Sequence, residues 1–304
     1  MKIKAKYIDL EFEDSHPGVV DAERPVVLLI MGLGMQLIAW PPALVQGLRD
    51  AGFRVLRFDN RDAGLSQHLD ELGVPNLLWQ GLKHRLGLRV TPPYSLQDMA
   101  ADALALLDAL QIKQAHVVGV SMGGMIAQWL ALLAPTRVLS LTSIMSSSGA
   151  RGLPAASPEI TRALLSRPAD KSLSAAVAHS VRLFKAIGSH GQRPGFELDD
   201  VVLRQLVSEA AQRCYYPSGI ARQMLAIVAD TTRAAALAGV AVPTLVVHGK
   251  ADPLVPFACG EDSARRIPGA RMVGIDEMGH DLPPGVVACL LTLLIPHMAQ
   301  AASD

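Results

Sequence analysis

The chain has 304 residues, half of them hydrophobic and 18% charged. That composition excludes a disordered or solvating polymer and allows one large core, or a core with a smaller lobe. Lysine plus arginine (28) balances aspartate plus glutamate (28), so no global field draws the chain to nucleic acid or to an anionic surface.

The basic run Lys83-His84-Arg85 is short and reads as a solvated helix end or loop. Cys214, Cys259 and Cys289 have neither the number nor the spacing of a disulfide framework, a zinc site or a redox motif. Free thiols point to a reducing compartment. The segment Met1–Lys6 is basic, and Tyr7–Asp14 alternates and carries acids, so no secretory apolar run is present. No apolar stretch of about 18 residues is free of charges and turn formers, which predicts no membrane span. Together these features predict a soluble, cytoplasmic protein.

In chain order, Pro25–Met31 (PVVLLIM) reads as a buried strand and Pro41–Ala51 as a helix. Arg54–Asp59 is the next strand, Leu96–Leu110 a helix with 3.6-residue periodicity, and Ala115–Val120 (AHVVGV) a strand. Met122–Leu133 follows as a helix and Val138–Met145 as a strand. Strands apolar on both faces, alternating with helices, predict a parallel sheet covered by helices, an α/β class. From about residue 147 to 236 no strand pattern occurs, and helical segments are separated by Pro154, Pro158, Pro168, Pro194 and Pro217. The strand rhythm resumes at Val242 (VPTLVVHG), continues at Arg271–Ile275, and closes with a helix over Val286–Ala299. The expected organisation is a core over residues 1–146 and 237–304, interrupted by a helical insertion at 147–236. An insertion after the C-terminal end of a strand stands over the ligand crevice of an open α/β sheet, so it reads as a cap or lid.

Gly119-Val120-Ser121-Met122-Gly123 has the form G-x-S-x-G, and Gly124 follows. It lies between a strand and a helix, the setting in which a tight turn lifts a serine hydroxyl above the sheet edge. The helix N-terminus there favours developing negative charge. A serine needs a base to become a nucleophile. Of nine histidines, His280 stands on a loop after the last strand, between Glu277-Met278-Gly279 and Asp281-Leu282-Pro283-Pro284. His116 and His248, within or at the end of apolar strands, read as core residues. The base needs an orienting carboxylate. Asp252, just past the strand ending at His248-Gly249, is the favoured one, ahead of Asp281, Asp262 and Asp276. Two amides should meet the oxyanion: Met122 N–H and one from Gly32-Leu33-Gly34, with Leu33 favoured. Leu37 stands where a dinucleotide fingerprint needs its last glycine, and no G-K-[ST] occurs, so no nucleotide cofactor is expected. No metal is expected either.

These residues together resemble the α/β-hydrolase superfamily of esterases, lipases, haloperoxidases and related enzymes. The match includes Asp59-Asn60-Arg61-Asp62-Ala63-Gly64-Leu65-Ser66, similar to the family's D-x-R-G-x-G-x-S loop, together with His248-Gly249-x-x-Asp252-Pro253-x-x-Pro256 and Gly279-His280. Within it the chain is most similar to capped carboxylesterases of the aclacinomycin methylesterase type, through Met31-Gly32 and the run Tyr216-Pro217-Ser218-Gly219-Ile220-Ala221-Arg222-Gln223. Asp62 departs from the family's usual glycine, and a structural role is expected for it with Asp59, Arg61 and Ser66. The resemblance implies the α/β-hydrolase fold, a mostly parallel sheet flanked by helices with an inserted helical cap. It also implies hydrolysis of a small-molecule carboxylic ester by Ser121, His280 and Asp252 through an acyl-enzyme. Perhydrolase or haloperoxidase chemistry, C–C hydrolysis on the same triad, and a ligand receptor on a hydrolase fold stay open as alternatives. A pocket mixing Met31, Met35, Met122 and Met125 with cap side chains predicts an apolar ester, while Arg213 and Arg222 offer a competing site for a substrate carboxylate.

Overall fold

The computed structural model describes residues 1–17 and 24–302. Its strands are β1 (Lys2–Ala5), β2 (Ile8–Asp14), β3 (Val26–Ile30), β4 (Arg54–Phe58), β5 (Ala115–Val120), β6 (Val138–Ile144), β7 (Thr244–Gly249) and β8 (Arg271–Ile275). They form one sheet in the order β1-β2-β4-β3-β5-β6-β7-β8. The β4-β3-β5-β6-β7-β8 pairings are all parallel. β1 and β2 extend the β4 edge in antiparallel fashion. The alternation Ile8, Leu10, Phe12 in β2 marks a strand with one buried face, and Asp9 faces out. No strand is predicted there from sequence.

Each central strand feeds two cores. Along β3, Leu28 and Ile30 enter one and Val27 and Leu29 the other. Helices α3 (Leu96–Ala109) and α4 (Met122–Leu133) cover the first face, and α1 (Pro42–Asp50) and α11 (Pro284–Ala301) the second. Helix α3 starts on a capping box, in which Ser95 and Asp98 each satisfy the other's backbone N–H. By length and composition α11 could cross a membrane. Here it lays Val286, Val287, Leu290, Leu294 and Met298 on the second core instead.

Between β6 and β7 the described residues form no strand. They make α5 (Pro158–Leu165), α6 (Leu173–Ile187), α7 (Asp200–Arg213), α8 (Pro217–Ala229) and the short α9 (Arg233–Ala236). Pro158 and Pro217 open α5 and α8, where a missing N–H costs nothing. Helices α6 and α7 bury Val177, Val181, Leu203 and Val207 against each other as a small separate core. Two further helices, α2 (Leu77–Arg85) and α10 (Phe257–Arg266), complete the chain.

Candidate active site

β5 ends at Val120 and α4 begins at Met122, so Ser121 alone makes the turn. Its φ of 55° and ψ of −120° are rare for a residue with a Cβ. The backbone is tight on both sides. A Cβ on Gly119 would lie 2.1 Å from the Gly123 carbonyl oxygen, and one on Gly123 would lie 2.0 Å from that of Ile30. Only glycine fits at either place. The Ser121 N–H donates to Ile144 O at 2.9 Å, and the Ser146 hydroxyl donates to Ser121 O at 2.7 Å. The Ser121 side chain caps no amide and is partly exposed.

Gly32 lies beside this turn, where an added Cβ would stand 3.2 Å from the Ser121 Cβ. Among the described residues, neither Leu33 N–H nor Met122 N–H meets an acceptor. Both amides expected to hold an oxyanion are therefore free. The next amide along, Gly34 N–H, donates to Gln223 Oε1 of α8 at 2.8 Å, and Gln223 Nε2 donates to Arg61 O at 2.7 Å. Gln223 is fully buried. It ties the Gly32–Gly34 turn to the loop after β4.

The remaining expected residues follow β7 and β8. Asp252 Oδ2 lies 2.7 Å from His280 Nδ1. A carboxylate only accepts, so Nδ1 carries the proton and Nε2 is left as the acceptor. Asp252 Oδ1 accepts the Leu254 and Val255 amides at 2.9 and 2.8 Å. Burial by itself would raise the Asp252 carboxyl, but the facing and hydrogen-bonded His280, the neighbouring His248 and the Val255 amide hold it down to about 2. No hydrogen bond joins Ser121 to His280 among the described residues. Such bonds are often long in a free site and tighten on substrate.

The loop carrying His280 is held by the end of α6. His280 N–H donates to Ile187 O at 2.7 Å, and Gly279 N–H donates to Ser189 Oγ at 2.9 Å. The Ser189 hydroxyl and amide both donate to Asp281 Oδ1. Asp281 is thereby engaged away from His280. Asp262 accepts from Ser148 and Arg266, and Asp276 pairs with Lys250. No group of three or more His, Cys, Asp or Glu that could hold a metal ion occurs among the described residues.

A family model described as alpha/beta hydrolase fold matches residues 25–283. The chain belongs to the α/β-hydrolase family. It is 31% identical to rhodomycin D methylesterase DnrP of Streptomyces peucetius, over 93% of this chain and 94% of that protein. It is 32% identical to rhodomycin D methylesterase DauP of Streptomyces sp. (strain C5), with the same coverage of 93% and 94%. The meta-cleavage product hydrolase CumD of Pseudomonas fluorescens IP01 superposes with a TM-score of 0.73 over 99% of this chain and 98% of that one, at 19% identity. Similarity at that level shows the shared fold alone.

Three expectations about this α/β hydrolase change in the structure. Arg213 and Arg222 are each already paired with a carboxylate of the protein itself. Arg213 Nη1 donates to Asp59 Oδ2 at 2.7 Å, and Arg222 is paired with Asp62 at 2.8 Å in full burial. His248 is buried as expected, yet it is not merely core: its Nε2 donates to Val255 O at 2.7 Å and lies 3.5 Å from Asp252 Oδ2. Its place at a strand end, four residues before Asp252 in HGKAD, was the available signal. Of the four methionines assigned to a pocket, Met31, Met122 and Met125 are 3%, 0% and 7% exposed within the two cores. Only Met35 is half-buried, and the Met122 side chain is packed in the core. Ser189 carried no sequence signal, and Gln223 only its place in the Tyr216–Gln223 run, because each acts on a loop far away in the chain.

Proposed function

We propose that this α/β hydrolase cleaves carboxylic esters with Ser121 as nucleophile, His280 as base and Asp252 as the orienting carboxylate. The observation that carries the reading is the Asp252–His280 contact at 2.7 Å, on the same strand ends as the left-handed Ser121 turn. Nε2 of His280 takes the Ser121 proton as Oγ attacks the ester carbonyl. Leu33 and Met122 N–H donate to the tetrahedral oxyanion, each worth about 3 kcal/mol at the transition state. His280, now cationic beside the ionised Asp252, protonates the departing alkoxide. Water then repeats the sequence on the acyl-enzyme and regenerates Ser121. No step in this route draws on a metal or an organic cofactor.

Residues 147–236 form the cap in this reading, with α8 seated on the turn that supplies Leu33. The loss of Arg213 and Arg222 to internal ion pairs supports an uncharged, apolar ester. The two methylesterase relatives favour a small leaving alcohol on a larger acid. The test is a set of p-nitrophenyl and methyl esters with neutral or charged acyl groups, alongside fluorophosphonate labelling. The reading expects label on Ser121, turnover of neutral esters, and loss of both in Ser121→Ala. Binding of esters without turnover, or preference for the charged ones, would overturn it.

A further inference from the structure

Helix α2 is built inside out. Leu78, Trp79 and Leu82 are 84%, 57% and 46% exposed, and Leu86 and Leu88 just beyond are 64% and 54% exposed. On the inner side, Lys83 is half-buried and the Gln80 side-chain oxygen is buried without a hydrogen-bond partner. The helix packs on α8, so its apolar side chains point away from the protein. An ordinary surface helix places these residues the other way round. Contiguous exposed apolar side chains mark a surface that meets something apolar.

Charge says what that is. The net charge of the chain is zero, yet between Leu72 and Gln97 the sequence carries Lys83, Arg85 and Arg89 and no acid. Arg89 is exposed beside Leu88. Exposed leucines and a tryptophan, with basic residues and no acid in the same stretch of sequence, match the headgroup boundary of an anionic lipid surface. The nine residues of α2 span about 14 Å, enough to lie in that plane and too few to cross it. We propose that α2 and the Leu86–Arg89 segment seat the protein on an anionic lipid surface.

The protein carries its own reporter. Trp79 is exposed, whereas Trp40 and Trp129 are 0% and 6% exposed. A change of emission on binding therefore comes from Trp79. Tryptophan emission and flotation are measured with phosphatidylcholine vesicles containing phosphatidylglycerol, and with phosphatidylcholine alone. The expected result is a blue shift and co-flotation with the anionic vesicles, weakened by salt. The double variant Leu78→Ser/Leu82→Ser should bind about tenfold less, since each leucine removes buried apolar surface. It should hydrolyse a water-soluble ester at the wild-type rate. No shift and no flotation would overturn the proposal. So would a dimer in sedimentation that the double variant dissolves, because a second copy would then cover this face.

Discussion

Arg222 and Asp62, 160 residues apart, form a two-pronged ion pair with no solvent exposure on either side chain. Nε donates to Oδ2 and Nη2 to Oδ1, each at 2.8 Å. Asp62 Oδ1 also accepts the Leu69 N–H at 2.8 Å, and Arg222 Nη1 donates to Gly73 O at 2.7 Å. Burial alone would raise the Asp62 carboxyl, but Arg222 and the Leu69 amide hold it below its ordinary value. Helix α8 is thus locked to the loop after β4 by a pair whose desolvation is already met.

Removing one partner leaves the other charged and buried. Arg222→Met should destabilise the protein by about 3–5 kcal/mol in urea titration. Asp62 sits at φ 63°, where glycine is free of strain. Asp62→Gly/Arg222→Met should therefore recover at least about 1 kcal/mol relative to Arg222→Met alone. The wild-type contribution also has a sign in pH. The folded Asp62 value is depressed, so its stabilisation is full above the ordinary carboxylate range and is lost as pH falls through the folded value. A double variant no more stable than the single one would mean that the pair is not the lock.

Asp252 should stay ionised throughout the range in which the protein is folded. With its folded value near 2 against an ordinary 3.8, its stabilisation is present above about pH 4 and lost as pH falls towards 2. The acid limb of a kcat/KM profile should then show one ionisation, not two. Asp252→Asn should lower kcat by about 10³–10⁴-fold, since an amide donor facing His280 favours the wrong tautomer. Steady-state kinetics across pH test both. A second acid ionisation in the wild type would contradict the depressed carboxylate.

The strands and the elements that carry Ser121, Asp252 and His280 were legible because each is encoded locally. A five- to seven-residue apolar run, a G-x-S-x-G turn and an Asp-Pro loop announce themselves over a few positions. β1 and β2 were not, because KIKA and IDLEFED bury one face only and carry charges on the other. Helix α10 (FACGEDSARR) was missed for the same reason, with charges crowding a short segment. The pairings that set the site lay further out of reach. Arg213 finds Asp59 and Gln223 finds Gly34 only after β4 and the helices before β7 are placed. Charge type in the helices between β6 and β7 was readable, but which charges were already paired was not.

Gln223 tests whether helix α8 holds the Gly32–Gly34 turn. Gln223→Leu keeps the volume and removes both hydrogen bonds, leaving Gly34 N–H and Arg61 O without partners. The cost to stability should be about 2 kcal/mol, from two buried groups left unsatisfied. If the turn loosens around Leu33, kcat should fall by about tenfold with KM little changed, because the lost interaction is made at the transition state. The rate of fluorophosphonate labelling should fall in step. A destabilised variant with wild-type kcat would show that the turn keeps its shape without Gln223.

Ser121 itself should be a place where stability is given up for position. Its φ of 55° with ψ of −120° strains any residue with a Cβ, by about 1–3 kcal/mol. Ser121→Ala removes the hydroxyl and keeps the strain. Ser121→Gly removes both, at an entropic cost of up to about 1 kcal/mol in the unfolded chain. Both variants should be inactive, yet the glycine variant should be the more stable by about 1 kcal/mol, a rise of about 2 °C in Tm for a chain of this size. Neither substitution breaks a side-chain cap, since Ser121 makes none, so the difference between them isolates the backbone. Differential scanning calorimetry of the two variants side by side makes the comparison. Equal melting temperatures would mean that the turn around Ser121 relaxes once the hydroxyl is gone, and that the strain is not held by Gly119, Gly123 and the packed backbone of Ile30.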